Sequence, residues 1–316
     1  MTNRRDFLRN AALLTAGGLL AGKTGKALAE TVPATGAEAS KLIGLQIYSL
    51  GKELYPDVAA GMKKIKDFGY STLELAGYGD GKINGIDMEE FRKITEDAGL
   101  KIISTHVNPP VREYTEGNKG QIVDFWKKAC DDHARIGVKY IIQPGQPSTR
   151  STEEVAFVSE VFGEAGAVAQ AAGLQFGYHN HEMEFARVRP GGTEAVFGRR
   201  GFGPDVKDAE LIYDGLLKYT DPSLVFFELD VYWAVMGQVD PVEYLRKHAD
   251  RIKVLHIKDR AVLGESGMMN FELIFKQAYI NGIGDYFVEL EGVRDITQFE
   301  GVKGCADYLK NAAFVK

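Results

Sequence analysis

The sequence predicts an α/β chain closed as a (β/α)8 TIM barrel, on three observations. Eight short β-prone runs alternate with helical patterns from residue 41 to 316, most recurring every 28 to 38 residues. The runs are mostly apolar, as strands of a parallel sheet covered on both faces are. The first run is followed by Ser49, Leu50, Gly51 and Lys52, so the G-x-G-x-x-G loop of an open, doubly wound sheet is missing. With 316 residues, 45% of them hydrophobic, the chain can bury a large core, and barrels reach this size as one domain.

The N-terminus stands apart from this rhythm. Arg4 and Arg5 precede a short apolar run over about residues 11–21, and Ala27-Leu28-Ala29 has the small-x-small form of a cleavage site. The stretch resembles a twin-arginine export signal. The expected organisation is a signal peptide over 1–29, a linker over 30–40 and a single catalytic barrel over 41–316, with a periplasmic location. The leader carries Arg4, Arg5, Arg9, Lys23 and Lys26 against Asp6, a net +4, so its removal takes the chain from −6 to −10. Such an acidic surface disfavours nucleic acid and anionic membranes. No other apolar stretch is long enough to cross a bilayer. The two cysteines, Cys130 and Cys305, fall in helical patterns and read as free, buried thiols.

In chain order the expected strands are LIGLQIYSL (42–50), TLELA (72–76), KIISTHV (101–107) and KYIIQPG (139–145). LQFGYHNH (174–181), LVFFELDVYW (224–233), IKVLHIKD (252–259) and DYFVELEG (285–292) follow. The helical patterns between them tend to close on glycine, at Gly69, Gly99, Gly137 and Gly173. One interval, 182–223, is long and rich in glycine and arginine; it reads as an extended loop over the mouth.

Barrel chemistry collects where strands end, and so do the polar residues here. The strand ends carry Gln46 and Tyr48, Glu74, His106 and Asn108, Gln143, His179 and His181. Further along come Glu228, Asp230 and Trp233, then His256, Lys258 and Asp259, then Glu289 and Glu291. Four of the six histidines lie at these ends; His133 and His248 lie in helical patterns and are given no role. Strand period places His179 with His181, Asp230 with Glu228, and His256 with Lys258 on shared faces. A concavity lined with so many ionisable groups needs something to organise them. One divalent cation does so, and imidazole with carboxylate suits Mn²⁺, Zn²⁺, Co²⁺ or Fe²⁺.

GLQIYSL, GYHNHEMEF, ELDVYWAVMG, VLHIKDR and YFVELEG, in this order, resemble the sugar isomerase/epimerase superfamily with a xylose isomerase-like barrel. The resemblance covers roughly 41–316. It implies one metal, Mn²⁺ foremost, held by His179, Asp230, His256 and Glu289, with Glu289 preferred over Glu291. Many members carry glutamate where this chain has His179. Many also read Asp-x-x-His where this chain has Asp230-Val-Tyr-Trp233; tryptophan cannot ligate, but it can stack on a sugar ring.

The resemblance implies proton removal from carbon next to a carbonyl. Glu289 or His181 is nominated as base, and Lys258 or His106 as the group that protonates or deprotonates an oxygen. His106, Glu74, Trp233 and Gln46 are the expected substrate contacts. The reaction expected first is isomerisation or epimerisation of a non-phosphorylated sugar or sugar derivative. Elimination from a 3-keto-glycoside is the alternative, and a non-catalytic sugar-binding barrel the third reading. The expected partner is a small carbohydrate, with no nucleic acid and no membrane insertion after leader removal; homo-oligomer formation is left open.

Overall fold

The computed structural model describes residues 41–197 and 208–316. The expected leader and linker, and the middle of the 182–223 interval, lie outside the described residues. Eight parallel strands form a closed barrel: β1 (Ile43–Gln46), β2 (Tyr70–Leu75), β3 (Lys101–His106), β4 (Tyr140–Gln143), β5 (Gln175–His179), β6 (Val225–Asp230), β7 (Ile252–Ile257) and β8 (Asp285–Val288). Each pairs with its neighbours in sequence, and β1 closes on β8 with Gly44 opposite Phe287.

Every run expected as a strand contains one, but each strand stops before the expected run does. At three of these ends a side chain captures the backbone N–H just beyond. Gln46 accepts from Tyr48 N (3.0 Å) and opens a 3-10 turn over Ile47–Glu53. Glu184 accepts from His181 N (2.9 Å). Asp230 accepts from Trp233 N (2.8 Å) and caps a short helix. His181 and Trp233 therefore lie past their strands, and His181 does not share a strand face with His179.

The outer ring comprises, among the described residues, α1 (Val58–Phe68), α2 (Met88–Asp97), α3 (Lys119–Arg135), α4 (Thr152–Ala171), α5 (Ile212–Tyr219), α6 (Val231–Met236), α7 (Pro241–Lys247), α8 (Phe271–Ile280) and α9 (Gln298–Asn311). Eight helices were expected; the β6–β7 link holds two short ones, α6 and α7. Helical period explains their packing. On α3, Ile122, Trp126, Ala129, Cys130 and His133 form one buried stripe, and the Trp126 ring meets Phe176 of β5 edge-on at 5.0 Å. The expected closing glycines all have positive φ, from 73° at Gly137 to 106° at Gly69, the left-handed turn that a Cβ disfavours. Cys130 and Cys305 are free and buried, and burial pushes each thiol up to about 12. Among the described residues no helix is long and apolar enough to cross a membrane.

The barrel interior is filled in layers. Ile103, Tyr140, Ile142, Phe226, Val254 and Phe287 form an apolar cluster separate from the main core. Phe226, Val254 and Phe287 lie two residues before Glu228, His256 and Glu289, hence on the same inward faces. They plug the barrel beneath a layer of charge.

Candidate metal centre and cavity

Two overlapping groups of buried ligand-type side chains sit above the plug. The lower comprises Glu74, His106, Glu228 and His256; the upper comprises His179, Asp230, His256 and Glu289. In each group the potential ligand atoms lie within 4.8 Å of one another. His256 belongs to both.

The lower group pairs most of its own atoms, with Glu228 Oε1 left unpaired. Glu74 accepts from Gln46 Nε2 (2.8 Å) and Ser104 Oγ (2.6 Å). His256 Nε2 lies 2.6 Å from Glu74 Oε2, and His106 Nε2 lies 2.8 Å from Glu228 Oε2. Burial alone would raise Glu74, but His106 and His256 outweigh it and hold its carboxyl low. Glu228 is pushed up by burial and by Glu74. Burial would depress His106 and His256; the surrounding carboxylates outweigh it and raise both.

The upper group does not satisfy itself. Both ring nitrogens of His179, Asp230 Oδ2 and His256 Nδ1 are buried without hydrogen-bond partners. His179 Nε2 lies 3.6 Å from Asp230 Oδ2, and His256 Nδ1 lies 3.4 Å from Glu289 Oε2. Buried polar atoms are ordinarily paired, so three side chains with unpaired atoms facing one another fit a cation. The donor set agrees. Burial, then His256 and His106, hold His179 well below its usual range, hence neutral. Asp230 spends Oδ1 on the α6 cap and has Oδ2 to spare. With Nε2 turned to Glu74, His256 can offer Nδ1 inward once an entering cation displaces the proton that the carboxylates favour. Burial and Glu289 push Asp230 up to about 7 against the pull of Lys258, so without a cation this cluster carries more negative charge than it can hold fully ionised.

Lys258 is fully buried. Its ammonium lies 2.7 Å from Glu289, contacts Glu291, and sits 4.8 Å from the centre of the Trp233 ring. Burial would raise Glu289 and lower Lys258, but their mutual attraction, with His256 acting on Glu289, reverses both directions. Glu289 is thus held ionised.

A cavity of about 770 Å³ opens above the upper group, with His106, His179, His181, Glu289 and Glu291 in its wall. Of the expected substrate contacts, His106 lines it. Gln46 and Glu74 are fully buried in the layer below, where they support His256. Trp233 packs against the His181 ring (centroids 5.8 Å apart) and under Lys258 and is not in the lining. His181 faces the cavity. Burial lowers it, and Lys258 and His106 add to this against Glu289, so it stands neutral. Within 182–223, no described residue lines this cavity; Met183 lines an adjoining one of about 570 Å³.

Some participants are given no role by the sequence reading. Glu228, placed on the face it shares with Asp230, joins the lower group. Lys52, Tyr55, Asn84 and Arg112 line the mouth from loops, where no period marks a side chain's direction. Glu184, which restrains His181, is buried, and burial pushes its carboxyl up to about 7.

An eight-stranded parallel barrel with buried imidazoles and carboxylates gathered at its strand ends defines the class. The chain belongs to the xylose isomerase-like TIM barrel family, whose model matches residues 62–311. It is similar to a sugar phosphate isomerase/epimerase from Parabacteroides distasonis, with 55% identity and a TM-score of 0.81, over 87% of this chain and 100% of that one. A second from the same organism is 46% identical, with a TM-score of 0.83, over 89% of this chain and 100% of that one. Among curated proteins, an inosose dehydratase from Geobacillus kaustophilus is 35% identical over 95 residues, 30% of this chain and 24% of that protein. The matched stretches span 24% to 45% of the length of such curated relatives.

Proposed function

We propose that the protein is a divalent-metal-dependent enzyme that removes a proton from carbon next to a carbonyl of a non-phosphorylated sugar or sugar derivative, leading to isomerisation or epimerisation. The observation that carries this is the set of orphaned atoms on His179, Asp230 and His256 facing one another beside ionised Glu289. A bound divalent ion would supply Lewis-acid polarisation of the carbonyl oxygen and its neighbouring hydroxyl, with Mn²⁺ the ion favoured.

The chain's own groups divide the remaining work. His181 is neutral and open to the cavity, and so suited to take the proton. Glu289 is the poorer base, because Lys258 and His256 keep its proton affinity low. Lys258 thereby makes Glu289 a ligand. His106, held protonated by Glu74 and Glu228, lines the cavity and can donate to a substrate oxygen. Return of the proton to the same carbon from the other face epimerises; return to the neighbouring carbon isomerises.

A second reading is favoured by the inosose dehydratase match. After proton removal a group on the β-carbon can leave with the C–O bond's electron pair. Water or an alcohol then departs, and an alkene conjugated to the carbonyl remains. A 3-keto-glycoside would release its aglycone in this way. The non-phosphorylated substrate follows from the leader, which would carry the enzyme out of the cytoplasm and let the folded chain acquire its metal before export. A mature periplasmic N-terminus at residue 30 is the matching expectation.

The test is Asp230→Asn. Metal content after Mn²⁺ loading and dialysis, and incorporation of solvent deuterium into keto and aldo sugars, should both fall by at least about a hundredfold. Undiminished exchange in a metal-free protein would overturn the reading.

A further inference from the structure

We propose that the substrate is a glycoside of two sugar rings, the second seated in a lobe of the cavity beyond His181. This rests on the reading above, in which the first ring lies over the upper ligand group. The 770 Å³ cavity adjoins a second of about 570 Å³, and the two share Asn108, Arg112, Pro144, Gly145 and His181 as walls. Pockets of about 300–1,000 Å³ take drug-sized molecules, so each lobe alone has room for a sugar ring.

The chemistry of the second lobe suits a pyranose, which has C–H bonds on its faces and hydroxyls around its edge. Pro109, Pro110, Pro147, Val111 and Met183 supply apolar wall, and Asn108, Arg112 and Gln146 supply polar groups. The polar groups are set in place before any ligand arrives. Asn108 Oδ1 accepts from Gly145 N at 2.8 Å, which turns its amide nitrogen outward as a donor. Gln146 Nε2 donates to Thr149 Oγ1 at 2.9 Å, leaving its carbonyl oxygen to accept. The Arg112 guanidinium has no hydrogen bond or ion pair to a side chain among the described residues. Gly145 leaves room for the Asn108 amide, whose Oδ1 a Cβ there would meet at 2.4 Å. A wall of prolines loses little freedom on binding. His181 stands on the partition, so the nominated base lies next to the bond that would join the rings.

The experiment is calorimetric titration of Mn²⁺-loaded protein with D-glucose, maltose and cellobiose, repeated on the double variant Met183→Ala/Gln146→Ala. Neither substituted residue belongs to the ligand cluster, and a thermal melt checks that the variant folds. At least one disaccharide should bind tenfold or more tighter than glucose. The variant should bring that disaccharide to the glucose level and leave glucose unchanged. Equal binding of disaccharides and glucose, or a preference untouched by the variant, overturns the proposal. Failure of the proton-abstraction reading would register separately, as absence of solvent deuterium in every sugar, and leaves the size comparison intact.

Discussion

Glu74 accepts from Gln46 and Ser104 and holds His256 Nε2 at 2.6 Å, although it does not reach the cavity. Its effect should therefore appear in affinity for the ion. Glu74→Gln is expected to weaken Mn²⁺ binding by about 10–100-fold, measured by competition with a fluorescent chelator; unchanged affinity would show that His256 needs no such support. Glu184 does for His181 what Glu74 does for His256, through the backbone. Its carboxyl rises from 4.5 to about 7 on folding. A raised carboxyl favours the folded state below its unfolded value, and that stability is lost as pH climbs through about 7. The native protein should thus lose on the order of 3 kcal/mol between about pH 4.5 and pH 8 from this group. Glu184→Gln, which retains an acceptor for His181 N–H, should flatten that slope in urea titrations.

The strands show why some of this was legible. Period two puts Asp230 with Glu228 and His256 with Lys258 on inward faces, the resemblance singles out Asp230, His256 and Glu289 as ligands, and the structure brings all three together with His179. What the period could not give was depth. Gln46 and Glu74 lie on inward faces too, yet one layer below the cavity, because a linear pattern does not say how far each strand has climbed when the barrel closes. It also missed the strand ends, where Gln46, Glu184 and Asp230 capture nearby N–H groups and turn the chain. Interior glycines are a further consequence of closure. A Cβ at Gly177 on β5 would lie 2.5 Å from the Phe226 ring, and one at Gly44 on β1 would lie 2.3 Å from Tyr286 O. Gly177→Ala should cost about 1–3 kcal/mol by overpacking the plug, visible as a lower melting temperature with metal affinity little changed.

Across the molecule, the ion and the fold should be linked. The upper ligand atoms come from β5, β6, β7 and the residue directly after β8, so an ion there would tie half the barrel together. Mn²⁺ at a hundred times its dissociation constant should add about 2.7 kcal/mol to stability. Chelation should remove that gain from the native protein and leave the melting temperature of Asp230→Asn unmoved. The plug beneath the charged layers has a kinetic corollary. Apolar side chains stop the lower end, so an ion bound above them would have to leave past any sugar seated over it, and its exchange should slow when sugar is present.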